Sequence, residues 1–152
     1  MKKRLRKSEI RELNESLNQY SYQADKKDLV EILEESSLKL VLINSRPLFF
    51  YRRVPVPTLK FLIEHPVLKK VVVDMGAVKF VVSGADIMRP GIVEIDSEIE
   101  DGQHVMIVDQ NNMKPLAVGT ALYNAEEIRS MSSGRVVRNL HYVGDSIWNY
   151  ET

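Results

Sequence analysis

Between Gly76 and Gly91 the chain reads GAVKFVVSGADIMRPG, three glycines, one proline and two cations among apolar residues. These groups suit contact with a polyanion better than transformation of a substrate. Glycine lacks a Cβ, so Gly84-Ala85 can lie flat against a sugar-phosphate backbone or the groove of an RNA stem. Lys79 and Arg89 bring charge to phosphate, the arginine as a planar fork that meets two oxygens at once. Met88 offers either a stacking surface for a base or a plug for a core. Gly76, Gly91 and Gly119 read more simply as turn or packing positions, and Pro90 as the residue that fixes a turn.

A second group near the C-terminus, His141, Tyr142, Asp145 and Trp148, has the residue types of an active site but not the arrangement. His141 and Tyr142 are neighbours on an expected strand and point to opposite faces. Trp148 reads as a plug in a barrel core. His65, His104 and His141 are far apart, and the chain has no cysteine to complete a zinc site. Neither GxxxxGK, GxGxxG nor GxSxG occurs. The expectation is a protein without catalysis, cofactor or metal.

Charge is unevenly spread although the net charge is zero. Residues 1–70 hold 15 Lys and Arg against 9 Asp and Glu, whereas residues 71–152 hold 6 against 12. In the basic half, Lys2, Lys3 and Arg4 open an N-terminal arm, and Arg46, Arg52 and Arg53 flank a hairpin that carries Tyr51. With the arm beside the hairpin, these residues make a docking face for structured RNA. The competing reading is that Arg52 and Arg53 only protect an edge strand. No apolar run reaches the ~20 residues of a membrane span, and Ser8, Glu9, Arg11 and Glu12 stand where a signal peptide needs its apolar centre. A cytoplasmic protein with no membrane or DNA partner is expected.

The elements that position these groups follow from periodicity. Ile10, Leu13, Leu17 and Tyr20 have helical spacing behind Ser8 as N-cap. A second helix is predicted from Asp25, burying Leu29, Ile32 and Leu33. Leu38–Ile43 and Leu48–Val54 read as paired strands across the turn Asn44-Ser45-Arg46-Pro47, with Pro55 and Pro57 ending the pairing. Thr58 caps a short helix that His65-Pro66 stops. From Val71 the texture changes to short strands at 71–74, 92–96, 103–109, 115–122, 135–143 and 146–150, the pattern of a small barrel. Asn124 and Glu127 form a capping box for a helix over 125–131. The expected domains are 1–70 and 71–152.

Several blocks in order carry a resemblance: VDMGAVKF at 73–80, SGADIMRPG at 83–91, AVG at 117–119, NAEEI at 124–128 and NLHYVGDSIW at 139–148. Over residues 58–150 the chain resembles the PUA domain, an RNA-binding module, and within it the malignant-T-cell-amplified-sequence-like proteins. The resemblance implies an α+β protein, a small α/β pre-PUA domain followed by a PUA pseudo-barrel of mixed strands with short helices. It implies a helix from about Ala77 to Ser83, although Val78, Phe80, Val81 and Val82 favour a strand by propensity. It further implies RNA contacts through Lys79, Ser83, Gly84, Ala85, Met88 and Arg89. The partners implied are the acceptor end of tRNA, small-subunit ribosomal RNA at the basic half, and a density-regulated-protein-like initiation factor. Accessory work in RNA modification and a pure protein-interaction role stay open beside the translation role.

Overall fold

The computed structural model describes residues 1–151. It consists of two compact units, Met1–Val67 with the residues from Asn149 on, and Leu68–Trp148.

The first unit is an antiparallel sheet carrying two helices. In chain order it holds β1 (Lys2–Arg4), α1 (Lys7–Leu17), β2 (Val30–Glu35), β3 (Leu38–Ile43), β4 (Arg46–Arg52), β5 (Val54–Pro57) and α2 (Leu59–Glu64). Sheet order is the same as chain order, β1 to β5. Leu13 and Leu17 of α1 and Leu59, Phe61 and Leu62 of α2 are buried. An aromatic cluster joins the layers, with Phe49 of β4 4.8 Å from Phe61 and Tyr22 edge-on to Phe61 at 5.3 Å. Asn44 and Ser45 both have positive φ, the conformation of a two-residue hairpin turn.

Four local expectations are corrected here. The segment predicted as a second helix holds strand β2, because Asp28 closes a turn on the Asp25 amide and β1 and β3 pair with Val30–Glu35 from both sides. The basic arm is no free arm: Lys2, Lys3 and Arg4 are β1, opposite Leu33, Ile32 and Glu31. The first helix starts at Lys7, with Arg6 rather than Ser8 at its cap. There the Glu9 carboxylate accepts from the Arg6 amide (3.0 Å) and from Lys3 Nζ (2.9 Å). Pro55 and Pro57 do not end the pairing. They sit in the edge strand β5 opposite Tyr51 and Phe49, where a residue without an N–H is tolerated.

The second unit comprises β6 (Lys70–Val73), α3 (Met75–Val81), β7 (Ile87–Met88), β8 (Ile92–Ile95), β9 (His104–Asp109), β10 (Pro115–Ala121), α4 (Ala125–Ser130) and β11 (Arg135–Tyr142). These strands form a nearly closed barrel in the order β7-β11-β10-β9-β6-β8, with β6 and β9 parallel and every other pair antiparallel. Val71, Val73, Ile107, Val136 and Val137 lie in its core. The strand predicted at 146–150 is a turn instead. Asp145 accepts from the backbone N–H groups of Tyr142 (3.0 Å) and Trp148 (2.8 Å), which winds the chain out of the sheet. Trp148 is therefore half-buried, and Ile147 is the buried residue of this turn.

Gly119 sits where β10 and β11 come close together. It lies at a bulge between β10 and β11, where an added Cβ would stand 2.5 Å from the Arg138 carbonyl oxygen and 2.6 Å from Val137 Cγ1. Neither the backbone nor a packed valine can move away. Gly119→Ala is expected to lower stability by about 1–3 kcal/mol, read as a fall in the urea midpoint with an unchanged slope.

Candidate nucleic-acid interface

The stretch from Gly76 to Gly91 folds into one corner of the barrel. Asp74 caps α3 by accepting from the Ala77 amide at 2.9 Å. The helix ends in a Schellman motif: Gly84 N–H donates to Val81 O (3.1 Å) and Ala85 N–H to Phe80 O (3.0 Å). Gly84 takes the left-handed position with φ +95°. Cap and stop together hold Val78, Phe80 and Val81 in a helix against their strand propensity, two residues earlier than the resemblance implied.

Strand β11 then ties this loop down. The Asn139 side-chain amide donates to Val81 O and Ala85 O, both at 3.0 Å. Asp86 accepts from the Asn139 backbone N–H (2.8 Å) and from Arg135 Nη1 (3.1 Å). The Tyr142 ring lies so close over Gly84 that a Cβ there would be 3.0 Å from Tyr142 Cε1. Gly84 therefore answers a positive φ and an aromatic ring of its own domain. Nothing local in the sequence assigns these roles to Asn139 and Asp86, or the cover over Gly84 to Tyr142, since their partners are about fifty residues away.

Arg89 is also spent on the fold. Its Nε donates to Ile128 O (2.6 Å), Nη1 to Ile92 O (3.2 Å) and Nη2 to Arg129 O (3.5 Å). Those carbonyls include the C-terminal end of α4, where a guanidinium both hydrogen-bonds and meets the negative end of the helix. Arg129 in turn donates to Ile95 O at 2.9 Å. Arg89 thus fastens α4 to the barrel and does not face an open surface with its fork.

The residues left exposed define the surface. A groove of about 460 Å³ runs between α3 and β7, lined by Phe80, Ala85, Met88 and Pro90 among others. Phe80 is 57% exposed and Met88 50%, unusual for side chains of that size. Lys79 stands beside it with Nζ 5.2 Å from the Phe80 ring centroid. Ser83 is exposed, its hydroxyl donating to Phe80 O. So Lys79, Ser83, Gly84, Ala85 and Met88 do meet at one corner, and Phe80 joins them. The sign for Phe80 in the sequence was an aromatic beside a lysine in the outward turn of a capped helix.

The basic residues of the first unit are not brought together. β1 and β4 are separated by β2 and β3, roughly 14 Å across the sheet, so Lys2, Lys3 and Arg4 do not lie beside the hairpin. Arg46 pairs with Glu64, and Lys3 with Glu9. Lys39 Nζ covers the Tyr51 ring at 4.5 Å, and Arg52 lies over Phe50 at 5.2 Å. Arg53, at φ 68°, makes the bend between β4 and β5.

His141 has no exposed surface, and its Nδ1 is 2.9 Å from the Asp145 carboxylate. Such a pair is closed to a substrate. Among the described residues no cluster of three or more His, Asp and Glu side chains could hold a metal, and no helix is long and apolar enough to cross a membrane. At Asp145, burial opposes ionisation, but hydrogen bonds from His141, Trp148 N–H and Tyr142 N–H outweigh it and hold the carboxyl below its ordinary value. A folded pKa below the unfolded one adds stability above roughly pH 4, which is lost as pH falls through the folded value. Asp145→Asn should therefore lower stability at pH 7 by about 1–3 kcal/mol and flatten the acid limb of a stability-versus-pH curve. Arg89→Met should cost a similar amount, whereas Lys79→Ala should leave the melting temperature unchanged. Equal effects of the last two variants would refute the division between fold and surface drawn here.

The PUA domain family matches residues 69–143, and the family described as a domain of unknown function (DUF1947) matches residues 2–65. An uncharacterised protein of Methanocaldococcus jannaschii is 39% identical over 97% of this chain and 94% of its own. Translation machinery-associated protein 20 of Saccharomyces cerevisiae is 34% identical, covering 82% of this chain and 74% of that protein. Malignant T-cell-amplified sequence 1 of Danio rerio is 34% identical over 84% and 74%. Among solved structures, a hypothetical protein of Pyrococcus horikoshii superposes with a TM-score of 0.82 at 30% identity, covering 97% of this chain and 98% of that one. An H/ACA ribonucleoprotein bound to a substrate RNA shares 64% of this chain and 29% of its own at a TM-score of 0.51 and 29% identity. With a PUA barrel behind a DUF1947 domain and this level of identity, the chain belongs to the family of translation machinery-associated protein 20 and malignant T-cell-amplified sequence 1.

Proposed function

We propose that this protein binds structured RNA in translation without catalysing a reaction on it, and that the α3–β7 corner is its RNA face. The observation that carries the reading is the exposed Phe80–Met88 groove with Lys79 at its rim, held on a braced loop in an RNA-binding fold. The groove is mostly apolar, and its two carboxylates are engaged within the fold, Asp74 by the Ala77 amide and Asp86 by Asn139 N–H and Arg135. Beside Lys79 it suits an unstacked base and its adjoining phosphate, the way single-stranded ends of RNA are recognised. Kinship with translation machinery-associated protein 20 supports a place in translation. The finer assignment is the small ribosomal subunit together with the acceptor end of tRNA, during initiation or recycling in the cytoplasm. A density-regulated-protein-like factor is its proposed protein partner. A second reading, RNA presentation to a modifying enzyme, is favoured by the likeness to an H/ACA ribonucleoprotein bound to substrate RNA.

Sedimentation of the protein with small ribosomal subunits and with bare tRNA tests both readings. Ala85→Glu and Lys79→Glu are the variants to use, because both positions are exposed and Ala85 holds the loop through its backbone, which the substitution leaves in place. Gly84 and Arg89 variants would confuse loss of contact with loss of structure. The expected result is binding to subunits that Ala85→Glu abolishes and that weakens with added salt. Tighter binding to bare tRNA than to subunits would move the role to modification. No binding to either RNA by folded protein would sink the RNA reading.

A further inference from the structure

A second cleft, of about 510 Å³, lies beside α1 in the first unit, within the size range of small-molecule sites. One wall is α1 and the other is the returning segment 23–26. Asn14 joins them, donating to Ala24 O (3.0 Å) and accepting from Ala24 N–H (2.8 Å). With Ala24 held opposite Asn14, the segment runs back along the helix. Lys26 thus faces the N-terminal half of α1 and Gln23 its C-terminal half.

Lys7 and Arg11 are one helical turn apart on α1, and Lys26 stands on the facing wall. All three are exposed, and among the described residues none has an ion-pair partner. With Glu15 and Asp25 also in its lining, the three cations leave the cleft one positive charge in excess. Ile10 and the buried Ala24 give the cleft an apolar side. Asn18 and Gln23 line its other end, and their side-chain amides have no partner among the described residues. Glu15 and Asp25 line it as well, which rules out an anion filling the whole space. The single excess positive charge suits one phosphate group rather than a larger anion, and an amino group beside Glu15 would find an acceptor.

We propose that this cleft binds a nucleotide. Its phosphate sits among Lys7, Arg11 and Lys26. Its base lies against Ile10 and Ala24, edge toward Asn18, Gln23 and Glu15, so that bases with an exocyclic amine are preferred. A free nucleotide and a single residue of an RNA strand present the same chemistry. The site is separate from the α3–β7 corner and stands or falls without it.

The test is a titration of the full-length ¹⁵N-labelled protein with AMP, UMP, inorganic phosphate and a short oligoadenylate, followed by backbone amide shifts. AMP should move the amides of residues 7–26 and bind more tightly than UMP. An Arg11→Glu, Lys26→Glu double variant should lose roughly tenfold or more in affinity at an unchanged melting temperature, since neither side chain holds a partner. If the source is a strand, oligoadenylate saturates the same shifts at lower concentration than AMP; if it is the free nucleotide, it does not. Lys79→Glu should leave these shifts untouched, which separates this site from the proposed RNA face. The proposal is overturned if AMP moves no amide in this segment. It is equally overturned if phosphate alone matches AMP, or if the double variant binds as the wild type does.

Discussion

The second unit depends on one side-chain amide. The segment 82–86 belongs to no helix or strand, yet it carries the backbone from the end of α3 to the edge of the groove. Asn139 holds it by giving both amide protons to carbonyls on either side of the glycine turn. The orientation is forced, because a flipped amide would set its oxygen against two carbonyl oxygens. The consequence is that Asn139 Oδ1 is buried with no partner among the described residues. Such an oxygen costs about 1–3 kcal/mol. The protein tolerates that loss to fix a loop whose position sets where Phe80, Ala85 and Met88 face. Asp86 accepts the backbone N–H of Asn139 itself, so loop and strand are locked through both the side chain and the main chain of one residue.

What the sequence made legible is what adjacent residues decide. Thr58 before Leu59, Asn124 with Glu127, and Asn44-Ser45 between two apolar runs each contain both halves of their own interaction, and each element was found. Strand β2 was misread because its apolar spacing also suits a helix, and the choice was made by β1, more than twenty residues earlier. The turn after Tyr142 failed for a similar reason: Asp145 spends its carboxylate on two backbone amides and His141, contacts that strand propensity does not register. Helix α3 was reached only through the family resemblance, since its β-branched residues and Phe80 argue locally for a strand.

The candidate site was legible in place but not in role. Gly84 and Arg89 are what a search for nucleic-acid contacts selects, a flexible backbone and a forked cation. The structure gives the first to the Tyr142 ring and the second to three carbonyls, two of them 39 and 40 residues away. Phe80 is the reverse case, a residue that reads as core material and lies on the surface. A motif collects residues needed to build a surface together with residues that form it. Only the distances separate the two.

Charge needs the same separation. The excess of basic residues in the first 70 suggests a continuous docking face, but folding distributes them over the non-adjacent strands β1 and β4, the helices and the loops. Arg46, Lys3 and Lys39 are each given a carboxylate. Exposed pairs of this kind add little stability, yet they remove the local potential that would draw a polyanion. Long-range attraction then falls to the cations left over, and at the barrel corner Lys79 stands beside a groove whose lining is mostly apolar, with Asp74 and Asp86 the charged residues in it. A surface built that way gains more from stacking and fit than from counterion release. Contact through one cation and an apolar wall loses little with added salt, whatever the polyanion.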